Sequence, residues 1–200
     1  KRFFFVFYKF LFFGIRKIFG IKLNVSGDQE TKRVMFISNH ISYLDIIILG
    51  SLVNAVFVAK SDIRDWPIIN KLCILGKTIF IERENRRSVK KQAFLIKENM
   101  QNGLNVILFP EGTSSDGSKV LSFKSSLFEV VDHQELRNYK LQPISISYNK
   151  LDGLPLVKTH RPFLAWFGAM NLAPHFWQFL GLGTSEVNIN FHKSEKFSFF

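Results

Sequence analysis

Short, unbroken apolar runs alternate with stretches of helical period along most of the chain. Val34, Met35, Phe36 and Ile37 fall together inside 32–38 and predict a buried strand. Residues 43–52 read as a helix and 55–59 as a second strand. A third strand covers 77–82, with Ile79 and Ile81 on one face. Val89, Ala93, Ile96 and Met100 recur with the period of an amphipathic helix over 88–101, and Gly103 ends it. Residues 105–109 predict a fourth strand, stopped by Pro110. A helix over 123–131 has Phe123, Leu127, Val130 and Val131 on one side. Residues 141–148 predict a fifth strand and 187–191, alternating strictly, a sixth. Helices alternating with short apolar strands predict an α/β single domain, its largely parallel central sheet flanked by helices.

The amino-terminal stretch breaks this pattern. The first 25 residues hold eight Phe and six Lys or Arg, and no acid. Residues 3–15 are apolar except for Lys9 and Tyr8. A spanning helix needs about 20 apolar residues, so this run is too short to cross a bilayer alone. It reads as an amphipathic, membrane-associating helical segment over 1–25, with Phe among acyl chains and Lys/Arg at phosphates. The domain proper is expected over 26–200. The alternative is a helix that packs its Phe on the protein's own core.

Composition narrows the partners. Lys and Arg number 27 against 16 Asp and Glu, a net charge of +11, which favours an anionic partner. The bases are dispersed, and no zinc finger, helix-turn-helix or glycine-aromatic RNA signature appears, so nucleic acid is not expected. An apolar share of 46% in 200 residues excludes a disordered chain. A single cysteine, Cys73, excludes an internal disulfide framework, and with no histidine nearby in sequence it reads as a core residue. His133, His160, His175 and His192 have no partner at metal-ligand spacing. Trp166 and Trp177 read as core or as a wall against acyl chains.

Candidate chemistry begins where the first predicted strand ends. His40 and Asp45 are five residues apart, which on one continuous helix would separate them by about 140°. They meet only if His40 is still in the turn and Asp45 is in the first helical turn. Ser42-x-x-Asp45 is a helix-start signature that supports this geometry. It also supplies the structural alternative, in which Asp45 merely caps the helix and His40 is a turn residue. The functional reading is a base and its orienting carboxylate: Asp45 fixes the imidazole tautomer and leaves the other nitrogen to take a proton.

Two further blocks accompany the pair. Gly76 to Arg83 places Arg83 just past the carboxyl end of a predicted strand, the edge at which open α/β sheets bind ligands. Arg83 suits a phosphate, with Lys77, Arg86 and Arg87 to assist; a solvated charge run including Glu82 and Glu84 is the alternative. Phe109-Pro110-Glu111-Gly112-Thr113-Ser114 follows the fourth strand. There Gly112 allows a turn that presents amides to an anion, and Glu111 is placed to orient a hydroxyl or Arg83; an ordinary turn is the alternative.

Asn39-His40-x-x-x-x-Asp45, the block ending in Phe80-Ile81-Glu82-Arg83, Phe109-Pro110-Glu111-Gly112-Thr113 and the apolar strand opening at Gln142-Pro143-Ile144 together resemble the four blocks of the glycerolipid acyltransferases. They are most similar to the bacterial 1-acyl-sn-glycerol-3-phosphate type, and span Asn39 to about Ile146. The stretches from Trp166 to Met170 and from Pro174 to Trp177 are similar to a bacterial branch. The resemblance implies that His40, oriented by Asp45, deprotonates the 2-hydroxyl of a lysophospholipid. That oxygen would attack the thioester of acyl-CoA or acyl carrier protein to give phosphatidic acid. Arg83 would hold the acceptor phosphate, with Glu111, Gly112 and Thr113 shaping the site and Asn39 and Lys77 completing the substrate-contacting set. No metal and no resident cofactor are implied. The implied location is a bacterial inner membrane, with the catalytic face cytoplasmic. One position departs from the pattern: Ser114 stands where many members carry Arg, which opens the acceptor to a lyso-ornithine lipid or another lysophospholipid. Lys124 is the candidate replacement cation.

Overall fold

The computed structural model describes all residues except 1, 62, 64–66, 82–85, 126, 127, 129–133 and 198–200. In chain order the elements are α1 (Arg2–Ile18), β1 (Ile21–Ser26), β2 (Val34–Ser38), α2 (Leu44–Leu52), β3 (Val56–Lys60), α3 (Pro67–Leu75) and β4 (Ile79–Ile81). Then follow α4 (Arg86–Gln101), β5 (Val106–Leu108), β6 (Lys140–Leu151), β7 (Leu154–Pro155), α5 (Leu172–Leu180), β8 (Ser185–Phe191) and β9 (Glu195–Lys196).

The strands join in the order β1-β8-β6-β2-β5-β3-β4. From β6 to β4 every neighbouring pair is parallel. The direction reverses between β6 and β8, and β1 runs parallel to β8 at the far edge. This is the mostly parallel, helix-flanked α/β sheet that the periodicity predicts. All six predicted strands are present within a few residues, as are the helices over α2 and α4. The helix expected over 123–131 falls largely outside the described residues. Residues 123 and 124, which are described, are not helical.

Alternation along β2 divides the core. Phe36 joins Leu44, Ile48, Leu49, Ile107, Ile144, Ile189 and Phe179 on the face covered by α2 and α5. Met35 and Ile37 join Val56, Ile81, Ile96, Met100 and Leu108 on the face covered by α4. Because β2 sits at the centre with both faces buried, its end is held rigidly, and that end leads directly into His40.

The amino-terminal segment does two things at once. Tyr8 and Phe12 are buried, and α1 packs against α2, where a Cβ on Gly50 would come within 2.8 Å of the Phe12 ring. Arg16 is buried and donates from its guanidinium to the Ile21 carbonyl at 2.8 Å. The opposite side leaves Phe7, Phe10, Phe13 and Ile18 exposed. Residues 21–26 are a strand of the sheet, so the expected boundary at residue 25 falls inside β1. Among the described residues, no helix is long and apolar enough to cross a membrane.

Candidate active site

β2 stops at Ser38, and the next residue replaces its ladder with a side chain. Asn39 donates from Nδ2 to the Ile146 carbonyl at 3.0 Å and accepts the Ile146 N–H on Oδ1 at 2.8 Å. This pins the turn to β6, which continues past the end of β2. Asn39, expected among the substrate contacts, anchors the turn through both ends of its amide.

The His40 ring then turns back onto the start of α2. Its Nδ1 lies 2.8 Å from Asp45 Oδ2. That same oxygen accepts the N–H groups of Ile41 at 2.7 Å and Ser42 at 2.9 Å, and Oδ1 accepts the Tyr148 hydroxyl at 2.8 Å. Asp45 is fully buried, while the His40 side chain keeps 18% exposure. A carboxylate surrounded by donors accepts from Nδ1–H, so the free imidazole nitrogen is Nε2. One carboxylate oxygen thus serves both the start of α2 and the His40 ring. The carboxylate closes the start of α2 by bonding back to Ser42 N–H, and holds His40 with the same oxygen. The Ser42 hydroxyl makes no bond of its own. Tyr148 is the residue that sequence reasoning missed. Burial raises its pKa well above the usual phenol value, and the Asp45 charge adds to this, so it remains a donor.

The other side of the imidazole stacks on Phe109, with centroids 4.1 Å apart and planes 19° from parallel. Phe109 opens the loop after β5. Glu111 there is buried, accepting the His40 N–H on Oε1 at 2.7 Å and the Leu121 N–H on Oε2 at 2.6 Å. Both oxygens accept backbone N–H groups, and Glu111 braces the histidine turn. Gly112 has a φ of 73°, a left-handed conformation that glycine adopts freely, and its N–H returns to the Phe109 carbonyl at 3.1 Å. That amide closes the turn; it is not turned toward an anion.

Beside His40 lies a largely apolar cleft of about 260 Å³. It is lined by His40, Phe109, Gly112, Thr113 and Ser114, by Tyr43, Ile46, Ile63 and Trp166, and by β3 residues Phe57 to Lys60. Trp166 is therefore a cleft wall. Tyr43 is fixed by an edge contact to Trp166 and by its hydroxyl, 3.1 Å from His175 Nδ1. His175 Nε2 lies 3.0 Å from the Pro162 carbonyl and 3.1 Å from that of Ala165, so Nε2 carries the proton and Nδ1 accepts from Tyr43. Burial lowers the His175 pKa, which keeps this ring neutral. Cys73 is half-buried, and burial raises its thiol pKa, which argues against an activated nucleophile.

The remaining candidates separate. Thr113 lines the cleft. Lys124 meets the loop through its backbone, donating to the Pro110 carbonyl at 2.9 Å, and its exposed side chain does not line the cleft. Lys77 precedes β4 and so lies at the amino end of a strand parallel to β3, the opposite edge of the sheet from His40. Arg83, Glu82 and Glu84 lie outside the described residues. Lys60, at the carboxyl end of β3, is the cation that the described residues bring to the cleft and that sequence reasoning did not nominate.

The chain is similar to known proteins in sequence and in fold. The acyltransferase family model matches residues 22–147. The chain is 38% identical over 179 residues to the lyso-ornithine lipid O-acyltransferase of Rhizobium meliloti, covering 87% of this chain and 61% of that protein. It is 28% identical over 173 residues to the 1-acyl-sn-glycerol-3-phosphate acyltransferase of Neisseria gonorrhoeae, covering 86% and 64%. It thus spans about three fifths of the length of these curated relatives. The crystal structure of the 1-acyl-sn-glycerophosphate acyltransferase from Thermotoga maritima superposes with a TM-score of 0.63 at 22% identity. That superposition covers 96% of this chain and 71% of the other, and shows the shared fold. The matched segment takes in the paired imidazole and carboxylate, the Glu111 loop and most of the parallel sheet, and by that match the chain belongs to the acyltransferase family.

Proposed function

We propose that the protein transfers an acyl group from a thioester to the hydroxyl of a lysolipid, with a lyso-ornithine lipid as acceptor. The observation that carries the chemistry is the His40–Asp45 pair, its Nε2 left free beside an apolar cleft. In this reading the acceptor hydroxyl gives its proton to His40 Nε2 as its oxygen attacks the thioester carbonyl carbon. The new C–O bond forms, the C–S bond breaks, and the imidazolium returns the proton to the departing thiolate. Asp45 stabilises the imidazolium between the two transfers. The apolar walls, Phe57, Ile46 and Trp166 among them, suit an acyl chain.

Two observations favour the ornithine acceptor over a phosphate one. The relative named for lyso-ornithine lipid stands at 38% identity, against 28% for the one named for 1-acyl-sn-glycerol 3-phosphate. Ser114 also places a neutral hydroxyl, not a guanidinium, on the cleft. Lys60 is the cation we assign to the acceptor's carboxylate. Membrane lipid as the source of acceptor is supported by the exposed aromatic side of α1.

The test offers purified protein lyso-ornithine lipid and lysophosphatidate in parallel, each with labelled acyl-CoA and acyl carrier protein. The expected result is diacyl product with higher kcat/KM on lyso-ornithine lipid, and a loss of at least about a thousandfold in His40→Ala with an unchanged circular dichroism spectrum. Faster turnover of lysophosphatidate would overturn the acceptor. An inert wild type that still binds lipid would replace the enzyme with a lipid-binding protein.

A further inference from the structure

From Pro162 to Ser185 the chain carries no Asp, Glu, Lys or Arg. α5 lies within this stretch. Its inner side buries His175 and Phe179, as an amphipathic surface helix does. Its outer side ought then to be charged, yet it presents Trp177 at 78% exposure and Leu180 at 45%, with Ala173, Pro174 and Gln178 around them. We propose that this face is a second membrane anchor, laid on an anionic lipid bilayer beside α1.

The surroundings argue for a bilayer. The Phe19 ring, just past α1, makes edge contacts with Phe176 at 5.8 Å and Phe179 at 5.4 Å, and Ser185 N–H donates to the Gly20 carbonyl at 3.2 Å. The end of α1, with Ile18 exposed, is thereby fastened to α5. Lys17 is exposed in the last turn of α1, and exposed Lys158 and half-buried Arg161 sit on the short helix Lys158–Phe163, within electrostatic reach of Asp116, which accepts the Ser118 N–H at 2.9 Å and the Ser118 hydroxyl at 2.6 Å. That helix abuts α5 through the contact of His175 with the Pro162 carbonyl. Residues 1–27 hold no acid. The acids nearest in sequence to α5 are already engaged: Asp152 accepts the Thr184 N–H at 2.6 Å, and Glu186 pairs with Lys150 at 3.1 Å. An exposed tryptophan on an uncharged face with a cationic rim matches the headgroup–acyl boundary of an anionic membrane. Nine residues give α5 a length of about 14 Å, so it lies along the surface.

The placement bears on the cleft. Tyr43, a cleft wall, packs its ring against His175 and Phe176 of α5. Docking α5 sets the back of that wall against lipid, which lets an acceptor reach His40 while its acyl chain stays in the bilayer.

Vesicles of phosphatidylglycerol and phosphatidylcholine with brominated acyl chains provide the test, using the whole chain. The difference in tryptophan emission between wild type and Trp177→Phe isolates Trp177. Vesicles are expected to shift that component to the blue and the bromines to quench it. The double variant Trp177→Gln/Leu180→Gln is expected to bind about tenfold or more weakly, since two buried apolar side chains are lost. Vesicles of phosphatidylcholine alone are expected to bind less than anionic ones. A Trp177 component unmoved while the protein sediments with vesicles would overturn the proposal, with α1 docking alone. A double variant that loses a dimer by light scattering but keeps its vesicle affinity would overturn it in favour of a second copy covering the face. The readout is binding, so it is decided separately from turnover and from the choice of acceptor.

Discussion

Asp45→Asn tests the imidazole pairing with the least disturbance of its surroundings. The new amide has the same shape as the carboxylate. Its oxygen can face the three donors now on Oδ2: His40 Nδ1–H, Ile41 N–H and Ser42 N–H. Its NH₂ then points at the Tyr148 hydroxyl, which turns from donor to acceptor. The three donors on Oδ2 keep their acceptor and only the Tyr148 O–H proton loses its own, so the stability cost is expected within about 2 kcal/mol. The lost quantity is charge. At a separation of about 4 Å and an effective dielectric of about 20, an imidazolium and a carboxylate attract by about 4 kcal/mol. That attraction acts only once His40 has taken the proton, so it belongs to the transition state and not to the ground state. At about 1.4 kcal/mol per decade it corresponds to a fall of about a thousandfold in kcat, with KM little changed. Single-turnover measurement of acyl transfer isolates the chemical step, and urea unfolding confirms the fold. Asp45→Ala is the contrasting variant, because it leaves the Ile41 and Ser42 amides and the Tyr148 hydroxyl without a buried acceptor and is expected to destabilise by several times as much. A folded Asp45→Asn variant keeping more than about a tenth of wild-type kcat would refute the electrostatic role of the carboxylate.

Glu111→Gln sets one donor against another, because both carboxylate oxygens now accept backbone N–H groups. The expected loss is about 1–3 kcal/mol in urea unfolding, together with weakened acceptor binding as the loop shifts against His40; unchanged stability would contradict the bracing role. For His175, burial lowers the folded pKa below its ordinary value of 6.5, so the unfolded chain binds the extra proton first as pH falls. Stability from the neutral ring is therefore complete above about pH 7.5 and declines as the pH drops through 6.5 toward the folded pKa. His175→Gln removes that titration, and unfolding free energies at about pH 7.5 and 5.5 should converge in the variant; equal pH slopes in the two proteins would count against it.

Much of the site was legible because it is local. Asp45 reaches His40 across a turn, and the five-residue spacing, the preceding apolar strand and Ser42 together supported that turn. β1 was equally open to reading. Ile21, Leu23 and Val25 alternate with Lys22, Asn24 and Ser26, a strand period that the density of nearby Phe and Lys obscured. Tyr148 was beyond reach for a different reason. It lies 103 residues from Asp45, and the pairing depends on the register that sets Ile144 beside Ser38 and on Asn39 extending the contact to Ile146. Alternation showed that Ile144, Ile146 and Tyr148 share a face, but not which side chain that face would meet.

The charged candidates carry a sharper lesson, because topology alone sorts them. In a parallel sheet, a residue just before a strand and a residue just after a neighbouring strand lie at opposite edges. Lys77 precedes β4 and Lys60 ends β3, and the two strands are parallel, with Lys60 beside Ile81 and Val58 beside Ile79. About 3.3 Å of rise per residue therefore separates Lys77 from the edge that holds His40 by more than 10 Å of strand. Prediction of a parallel sheet already contained this result, since it puts Lys60 at the His40 edge and Lys77 at the opposite one. Glu111 teaches the complementary point. A carboxylate in a turn beside a buried histidine looks like a ligand, yet a turn folded against the core must find acceptors for its own amides, and Glu111 supplies them for His40 and Leu121. The acid that meets the imidazole and the acid that holds up its backbone are thus distinguished by what surrounds them, one by side-chain donors together with amides, the other by amides alone.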